Sequence, residues 1–179
     1  MRNEKTQKIV LASLFYSIGL VLPFITGQIP EIGKMLLPMH IPVLICSLVV
    51  GWKYGLAIGL LLPITRSLLF HFPTLYPNAV GMTFELAAYG FFAGFIYERL
   101  LQTRLNRFAA LIVSLLAAMI VGRIVWGAAS LVLYGLRGEA FTLGLFIGGA
   151  FINAMPGIIA QLVLIPAIVA ALEKADIKI

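Results

Sequence analysis

Three charged side chains lie inside segments that are otherwise strongly apolar: Arg66, Glu85 and Arg123. A charge within the hydrocarbon of a membrane costs at least ~2.5–3.5 kcal/mol, so such residues usually pair with each other or serve function. Arg66 and Glu85 each lie about five residues from the end of their apolar segment, or ~7 Å deep at 1.5 Å per residue. We therefore expect these two residues to pair, either as a structural tie between helices or as part of a binding site.

Arg123 lies deeper, about twelve residues or ~18 Å from the end of its segment, and Asn153 is at a similar depth in the next one. The sequence offers neither residue an obvious acidic partner. Arg123 either bonds backbone carbonyls and extends along its stem, or presents its planar donor fork to a ligand carboxylate. Asn153 would offer a donor and an acceptor to an amide or a hydroxyl. Two arginines against one glutamate leave a charge of +1, which favours an anionic ligand.

Aromatic and polar residues near these charges complete the candidate site. Trp126 is one helical turn from Arg123 and forms either an aromatic wall of a pocket or a contact between helices. The joint MLLPMHIPVL places a histidine between Pro38 and Pro42, which should stiffen this segment into a cap over an apolar pocket. Four polar residues of the connecting segments either reach a ligand or have their hydrogen-bond partners within the protein: His40, His71, Tyr76 and Asn78.

The composition identifies the environment of these residues. The chain of 179 residues is 61% hydrophobic and 11% charged, with a mean hydropathy of +1.05, whereas soluble domains carry about 25% charged residues. This composition predicts an integral membrane protein. The net charge of +6 is spread along the chain, which does not indicate nucleic-acid binding.

Motifs for catalysis are missing from the sequence. It contains no HExxH, no Walker-type GxxxxGK[ST], no paired carboxylates and no Cys/His cluster, and the single Cys46 excludes an internal disulfide. Neither membrane protease nor ATPase chemistry is supported. We therefore predict no catalytic residue, no metal site and no cofactor.

Interruptions by charged residues and prolines divide the chain into six apolar segments. We predict an all-α bundle of six transmembrane helices forming a single membrane domain over residues 1–179. Pro156 and Pro166 give the long sixth helix places to kink. The expected helices cover residues 9–25, 41–50, 54–70, 80–97, 108–134 and 141–172.

The distribution of basic residues predicts the orientation. One set of connecting segments and termini holds nine Lys and Arg residues, whereas the opposite loops hold only Lys34 and Arg137. Both termini should therefore be cytoplasmic, and the joint MLLPMHIPVL should lie at the outer mouth of the bundle.

Small residues at a spacing of four predict close helix packing. The glycine sets are Gly51, Gly55 and Gly59; Gly90 and Gly94; and Gly144 and Gly148. A further stripe, Ser13 and Ser17, lies in the cytoplasmic half of the first helix, where it could receive another protein.

Three blocks carry a family resemblance: KIVLASLFYSIGLVLPF, MLLPMHIPVLICSLVVGWKYG and PITRSLLFHFPTLYPNAVGMTFELAAYGFFAGFIY. In this order they resemble the substrate-binding S-component of energy-coupling factor (ECF) vitamin transporters, over essentially the whole chain. The resemblance implies a six-helix bundle in a prokaryotic cell membrane that captures a vitamin from outside, under a lid. It also implies a membrane scaffold and two ATPase subunits as partners, with Ser13 and Ser17 replacing the Ala-xxx-Ala stripe that meets the scaffold.

The sequence looks most like the pantothenate, pyridoxine and hydroxymethylpyrimidine branches of that family. Arg123 and the charge of +1 favour pantothenate, whose carboxylate would use the arginine and whose amide and hydroxyls would suit Asn153. If Arg123 is instead satisfied internally, an uncharged pyridine or pyrimidine stacked on Trp126 becomes the better ligand.

Two hypotheses from other functional classes, a membrane enzyme and a structural subunit, remain open. A small membrane enzyme would use Glu85 with His40 or His71 as acid–base groups, which requires them to converge within hydrogen-bond reach. A purely structural subunit would need no cavity between the later helices.

Overall fold

The computed structural model describes residues 4–25 and 35–174, and in these ranges the chain is almost entirely helical. Residues 26–34, which belong to the predicted outer loop, lie outside the described residues. The helices are α1 (Glu4–Ile25), α2 (His40–Val49), α3 (Trp52–Phe70), α4 (Val80–Leu100), α5 (Arg107–Gly135), α6 (Leu143–Ile147) and α7 (Met155–Lys174). Two π-helical turns, Leu75–Ala79 and Gly148–Ile152, precede α4 and follow α6.

Five helical segments are long and apolar enough to cross a membrane: Glu4–Ile25, Trp52–Phe70, Leu75–Leu100, Arg107–Gly135 and Leu143–Leu172. The short α2 adds a sixth apolar helix to the bundle. The predicted class, an all-α membrane bundle of six main helices, is therefore confirmed, with five spanning segments and the shorter α2. Most side chains on the outside of these helices are apolar because they face lipid rather than water.

The centre of the bundle is α4, which packs along α2, α3 and α5. Glycines bring these helices into backbone contact, as the spacing predicts. A Cβ atom on Gly90 would lie 2.2 Å from the Gly55 carbonyl oxygen, and one on Gly59 would lie 2.4 Å from the Leu86 carbonyl oxygen. Ser47 of α2 reinforces the contact, because its hydroxyl donates to the Gly90 carbonyl and accepts from the Gly94 N–H at 2.8 Å.

The same expectation is wrong for Gly144 and Gly148. A Cβ atom on Gly148 would meet no atom of the described residues within 4 Å, and one on Gly144 would meet only the Thr142 hydroxyl at 3.8 Å. These two glycines therefore do not serve helix packing. They border an open space inside the bundle instead.

The sixth span is interrupted rather than continuous. Its first part, α6, has no buried residue, and the π-helical turn that follows buries only Ala150. The irregular turn ends just before Pro156, one of the two prolines at which we predicted a kink, and a proline removes a backbone N–H from helix hydrogen bonding.

The segment before α2 ends inside the bundle. Because α2 has only ten residues, or ~15 Å, its first residue lies well below the end of the bundle at which α1 ends. Leu37 adopts a left-handed conformation with φ of 50°, and Pro38 and Met39 are buried. Such non-helical backbone is tolerated at membrane depth where protein covers it or where it borders a cavity.

Pro42, by contrast, lies in the first turn of α2, where a missing N–H leaves no hydrogen bond unmade. Ile41, the residue before this proline, is already helical, so Pro42 does not interrupt α2.

The contact between α3 and α4 generates a stability prediction. Gly90→Ala should destabilise the protein by about 1–3 kcal/mol, because the added methyl overlaps the α3 backbone, which cannot move away freely. The measurement is thermal unfolding in detergent. Gly135→Ala is the matched control, since its Cβ meets nothing of the described residues within 4 Å; equal melting temperatures for the two variants would contradict the packing.

Candidate ligand-binding site

A cavity of about 500 Å³ opens at the end of the bundle where α1 and α3 end, which we call the mouth. Apolar and aromatic side chains form much of its surface, among them Pro23, Met39, Met82, Trp126 and Phe141. Its polar lining includes His40, Arg66, Asn78, Glu85, Arg123 and Asn153. Its size is in the range of ~300–1,000 Å³ typical of small-molecule sites, and so is a mostly apolar lining with few polar groups.

The central polar contact joins α4 and α5. Arg123 Nη1 donates to Glu85 Oε1 at 2.6 Å, and the two side chains are 5% and 3% exposed. Two expectations are therefore wrong: Glu85 does not pair with Arg66, and Arg123 does have an acidic partner.

The reason for both errors is the register of α3 against α4. A Cβ atom on Gly59 would lie 2.4 Å from the Leu86 carbonyl oxygen, so Leu86 lies level with Gly59, and Arg66 is seven residues, or ~10 Å, nearer the mouth than Gly59. Glu85, next to Leu86, is therefore too deep to reach Arg66 and meets Arg123 instead.

Two further side chains approach the Glu85 carboxylate. His40 Nε2 lies 3.4 Å from Glu85 Oε1, and the Tyr89 hydroxyl faces the same carboxylate. His40 is fully buried at the start of α2, not in an exposed loop, and its ring meets the edge of Tyr89 with centroids 5.1 Å apart.

Tyr89 was missed by sequence reasoning, although its position four residues after Glu85 places both on one helix face. The ring of Tyr89 passes over Gly122, where a Cβ atom would lie 2.2 Å from its Cε1. Gly122 therefore permits the tyrosine to reach the carboxylate from between α4 and α5.

Arg66 of α3 also borders the cavity and contacts α1. Its Nη1 donates to the Leu20 carbonyl, and its guanidinium carbon lies 4.9 Å and 5.3 Å from the ring centres of Phe24 and Phe70. The side chain is fully buried. None of the carboxylates in the described ranges forms a salt bridge with it.

Both arginines have donors that are not used. Arg66 and Arg123 each bury Nε and Nη2 without a hydrogen-bond partner among the described residues, and both ring nitrogens of His40 are also unpartnered there. A buried donor without a partner typically costs ~1–3 kcal/mol, and more when it is charged. Such groups beside a cavity favour a ligand with several acceptor atoms.

Trp126 fulfils both roles considered for it. It borders the cavity, and it also packs against Phe141 and stacks with Phe146, with centroids 5.7 Å and 6.2 Å away. Gly149 approaches its ring closely, since a Cβ atom there would lie 2.8 Å from Trp126 Cη2. The indole is therefore a wall held in place by its neighbours.

Of the remaining candidate residues, one borders the cavity and two do not. Asn78 borders the cavity and donates to the Thr74 hydroxyl at 2.7 Å. Tyr76 is not among the lining residues, and its hydroxyl instead donates to the Leu133 carbonyl at 2.6 Å. His71 is the exposed left-handed cap of α3, also away from the lining.

Several lining residues had no signal in the sequence: Pro23, Phe72, Pro73, Thr74, Tyr134 and Phe141. They come from helix ends and connections, so only the fold brings them to the mouth.

Within the two described ranges, no three His, Cys, Asp or Glu side chains form a metal-binding group. Of the groups considered for acid–base chemistry, Glu85 and His40 converge, whereas His71 does not join them.

The ion pair yields a prediction. Glu85→Ala should destabilise the protein by about 3–5 kcal/mol, because it leaves the Arg123 charge buried without compensation. The double variant Glu85→Leu with Arg123→Met should recover most of this loss, which thermal unfolding in detergent measures. The matched control is Glu139→Ala, since its pair with Arg137 at 3.0 Å is 45% exposed and should contribute under ~1 kcal/mol. A double variant as unstable as Glu85→Ala would contradict this account.

Comparison with known proteins agrees with a binding site in a membrane bundle. The family model described as "ECF transporter, substrate-specific component" matches residues 7–169. A search of curated proteins finds no match. The family is one of transporter components and not of enzymes. Since the match covers most of the chain, this multi-pass membrane protein belongs to the family of substrate-specific components of ECF transporters.

Proposed function

We propose that this protein captures a vitamin or vitamin precursor, pantothenate in the first place, from outside the cell. Partner subunits, a membrane scaffold and two ATPases, then drive its uptake with ATP. The observation that carries the proposal is the cavity at the mouth, in which buried arginine donors have no partner among the described residues.

Pantothenate suits the chemistry of this cavity. Its carboxylate requires a cationic donor, and its amide and two hydroxyls require the mixed donors and acceptors that Arg123, Asn153 and Asn78 offer. Among the described residues, the charged groups that border the cavity are two arginines and one glutamate, which sum to +1.

Pyridoxine and hydroxymethylpyrimidine are the alternative ligands. The pairing of Arg123 with Glu85 is the observation that favours them, because it satisfies part of the arginine within the protein. An uncharged ring would then stack on Trp126. Pantothenate remains the preferred ligand, because Arg66 has no acidic partner among the described residues and can bind its carboxylate.

The distribution of charge supports an orientation in which both termini are cytoplasmic. Lys53, Arg99, Arg104 and Arg107 lie at the end of the bundle opposite the mouth, whereas Arg137 lies on the side of the mouth. By the positive-inside rule the cavity then opens outward in a prokaryotic cell membrane.

A membrane enzyme is the second candidate, since His40 and Glu85 lie 3.4 Å apart. Glu85 Oε1 already accepts from Arg123, which leaves this carboxylate poorly placed to take up a proton. Conversion of a bound molecule by the purified protein would favour this candidate.

The ligand prediction is tested by mass spectrometry of the small molecule that co-purifies in detergent, followed by calorimetry. We expect pantothenate to bind more tightly than pyridoxine or hydroxymethylpyrimidine, because only pantothenate is an anion. Tighter binding of either neutral ring would overturn the pantothenate assignment.

The partner surface is proposed at the serine stripe of α1. Ser13 and Ser17 are both exposed, and the Ser17 hydroxyl donates to the Ser13 carbonyl at 2.9 Å. The intrahelical bond keeps this hydroxyl against the helix, so the stripe is smooth enough for a partner helix to approach closely.

Ser13→Trp should abolish uptake by the reconstituted complex, because the indole prevents close approach, while ligand affinity in detergent is unchanged. Val132→Trp is the control, since Val132 is exposed on α5, and it should transport normally. Uptake by Ser13→Trp at the control rate would remove the proposed docking surface.

A further inference from the structure

We propose that Arg66, and not Arg123, binds the anionic group of the ligand, and that Arg123 serves the uncharged end. This inference rests on the proposed function and deepens it, because it assigns the ligand class as an elongated monoanion with a fixed orientation. It follows from three properties of the two arginines: compensation of charge, unused donors and depth.

The first property is charge compensation. The Arg123 charge is neutralised by Glu85 at 2.6 Å, in a buried contact that leaves both side chains almost inaccessible. Arg66 is equally buried, but its bonded partner is the uncharged Leu20 carbonyl. A buried charge is costly unless an opposite charge lies close by. Among the described residues that border the cavity, Arg66 is therefore where an added anion gains most.

The second property is the geometry of the unused donors. Because Nη1 of Arg66 is bound to Leu20, the edge formed by Nε and Nη2 is left, and both nitrogens are buried without a partner in the described ranges. These two N–H groups are parallel, which is the arrangement that binds a carboxylate in two-point fashion. The rings of Phe24 and Phe70 pack against the guanidinium and restrict its plane before a ligand arrives.

Arg123 has the same unused edge, but in a different electrostatic setting. With Glu85 beside it, a second carboxylate would approach a pair that is already neutral and would meet the repulsion of the first. Hydroxyl and amide oxygens bring no charge, so they can accept from Arg123 Nε and Nη2 without this penalty. Asn153 and Trp126 also border the cavity.

The third property is depth. Arg66 lies four residues from the end of α3, or ~6 Å from the mouth, whereas Arg123 lies ~18 Å from the end of α5. A ligand that uses both would be elongated, with its anionic group near the mouth and its uncharged polar end deep in the bundle.

The experiment compares pantothenate with pantothenol, in which a primary alcohol replaces the carboxylate. Calorimetry in detergent gives the ratio of the two affinities for the wild type, Arg66→Gln and Arg123→Gln. We expect the wild type to prefer pantothenate by about 100-fold. Arg66→Gln should bind both molecules equally, whereas Arg123→Gln should lose affinity for both by a similar factor and keep the preference.

Arg66→Lys separates charge from geometry. It keeps the positive charge but lacks the parallel donor pair, so it should retain a reduced preference for pantothenate. Thermal unfolding of each variant shows whether it is folded. If Arg66→Gln is misfolded, the ratio of the pantothenate and pantothenol affinities of Arg66→Lys decides whether Arg66 binds the anionic group. A preference in either Arg66 variant as large as that of the wild type would overturn the proposal.

Failure of the pantothenate assignment is distinguishable from failure of this inference. If the wild type binds neither pantothenate nor pantothenol, the proposed ligand is wrong. The role of Arg66 is then decided on the co-purifying molecule. A neutral molecule overturns it. An anionic molecule supports it if its preference over an uncharged analogue is lost in Arg66→Gln and kept in Arg123→Gln.

Discussion

A carboxylate in the middle of a membrane bundle has to be neutralised, and the way in which Glu85 meets this requirement organises the site. Glu85 of α4 accepts from Arg123 of α5 and is approached by His40 of α2 and Tyr89 of α4. Three helices are therefore held at one level by one carboxylate. Removing a single partner from such a cluster leaves a charge in low dielectric, so the cluster also specifies how these helices sit against each other.

The packing of α4 makes this arrangement possible. Gly55, Gly59 and Gly90 bring the backbones of α3 and α4 into contact, while Gly122 lets Tyr89 pass between α4 and α5. The charges thus lie on the tightly packed side of the cavity. The opposite side, α6 and the turn after it, buries only Ala150 and presents glycines to the open space. One side fixes polar groups in place, and the other supplies apolar surface around them.

Hydropathy and residue spacing predict the helices well, because lipid demands long apolar helices and because a glycine pattern is local in sequence. They also select most of the polar residues of the cavity, since a charge in a span is costly. They do not predict which charges pair. Depth counted from the helix ends places Glu85 beside Arg66, but the register of α3 against α4 sets Gly59, and not Arg66, level with Leu86. His40 was placed in a loop for a similar reason, because a short α2 cannot be told from a helix that begins at the membrane surface.

The same difference in pairing gives two chemically identical arginines different roles. Each has one nitrogen bonded and one donor edge unused, so hydrogen-bond counting alone would treat them as equal. Their surroundings differ in the charge of the bonded partner, a carboxylate for Arg123 and a backbone carbonyl for Arg66. In a medium where Coulomb interactions are weakly screened, that difference outweighs the similarity of the donors. Recognition of an anion in such a bundle therefore depends less on where an arginine lies than on whether the protein has already neutralised it.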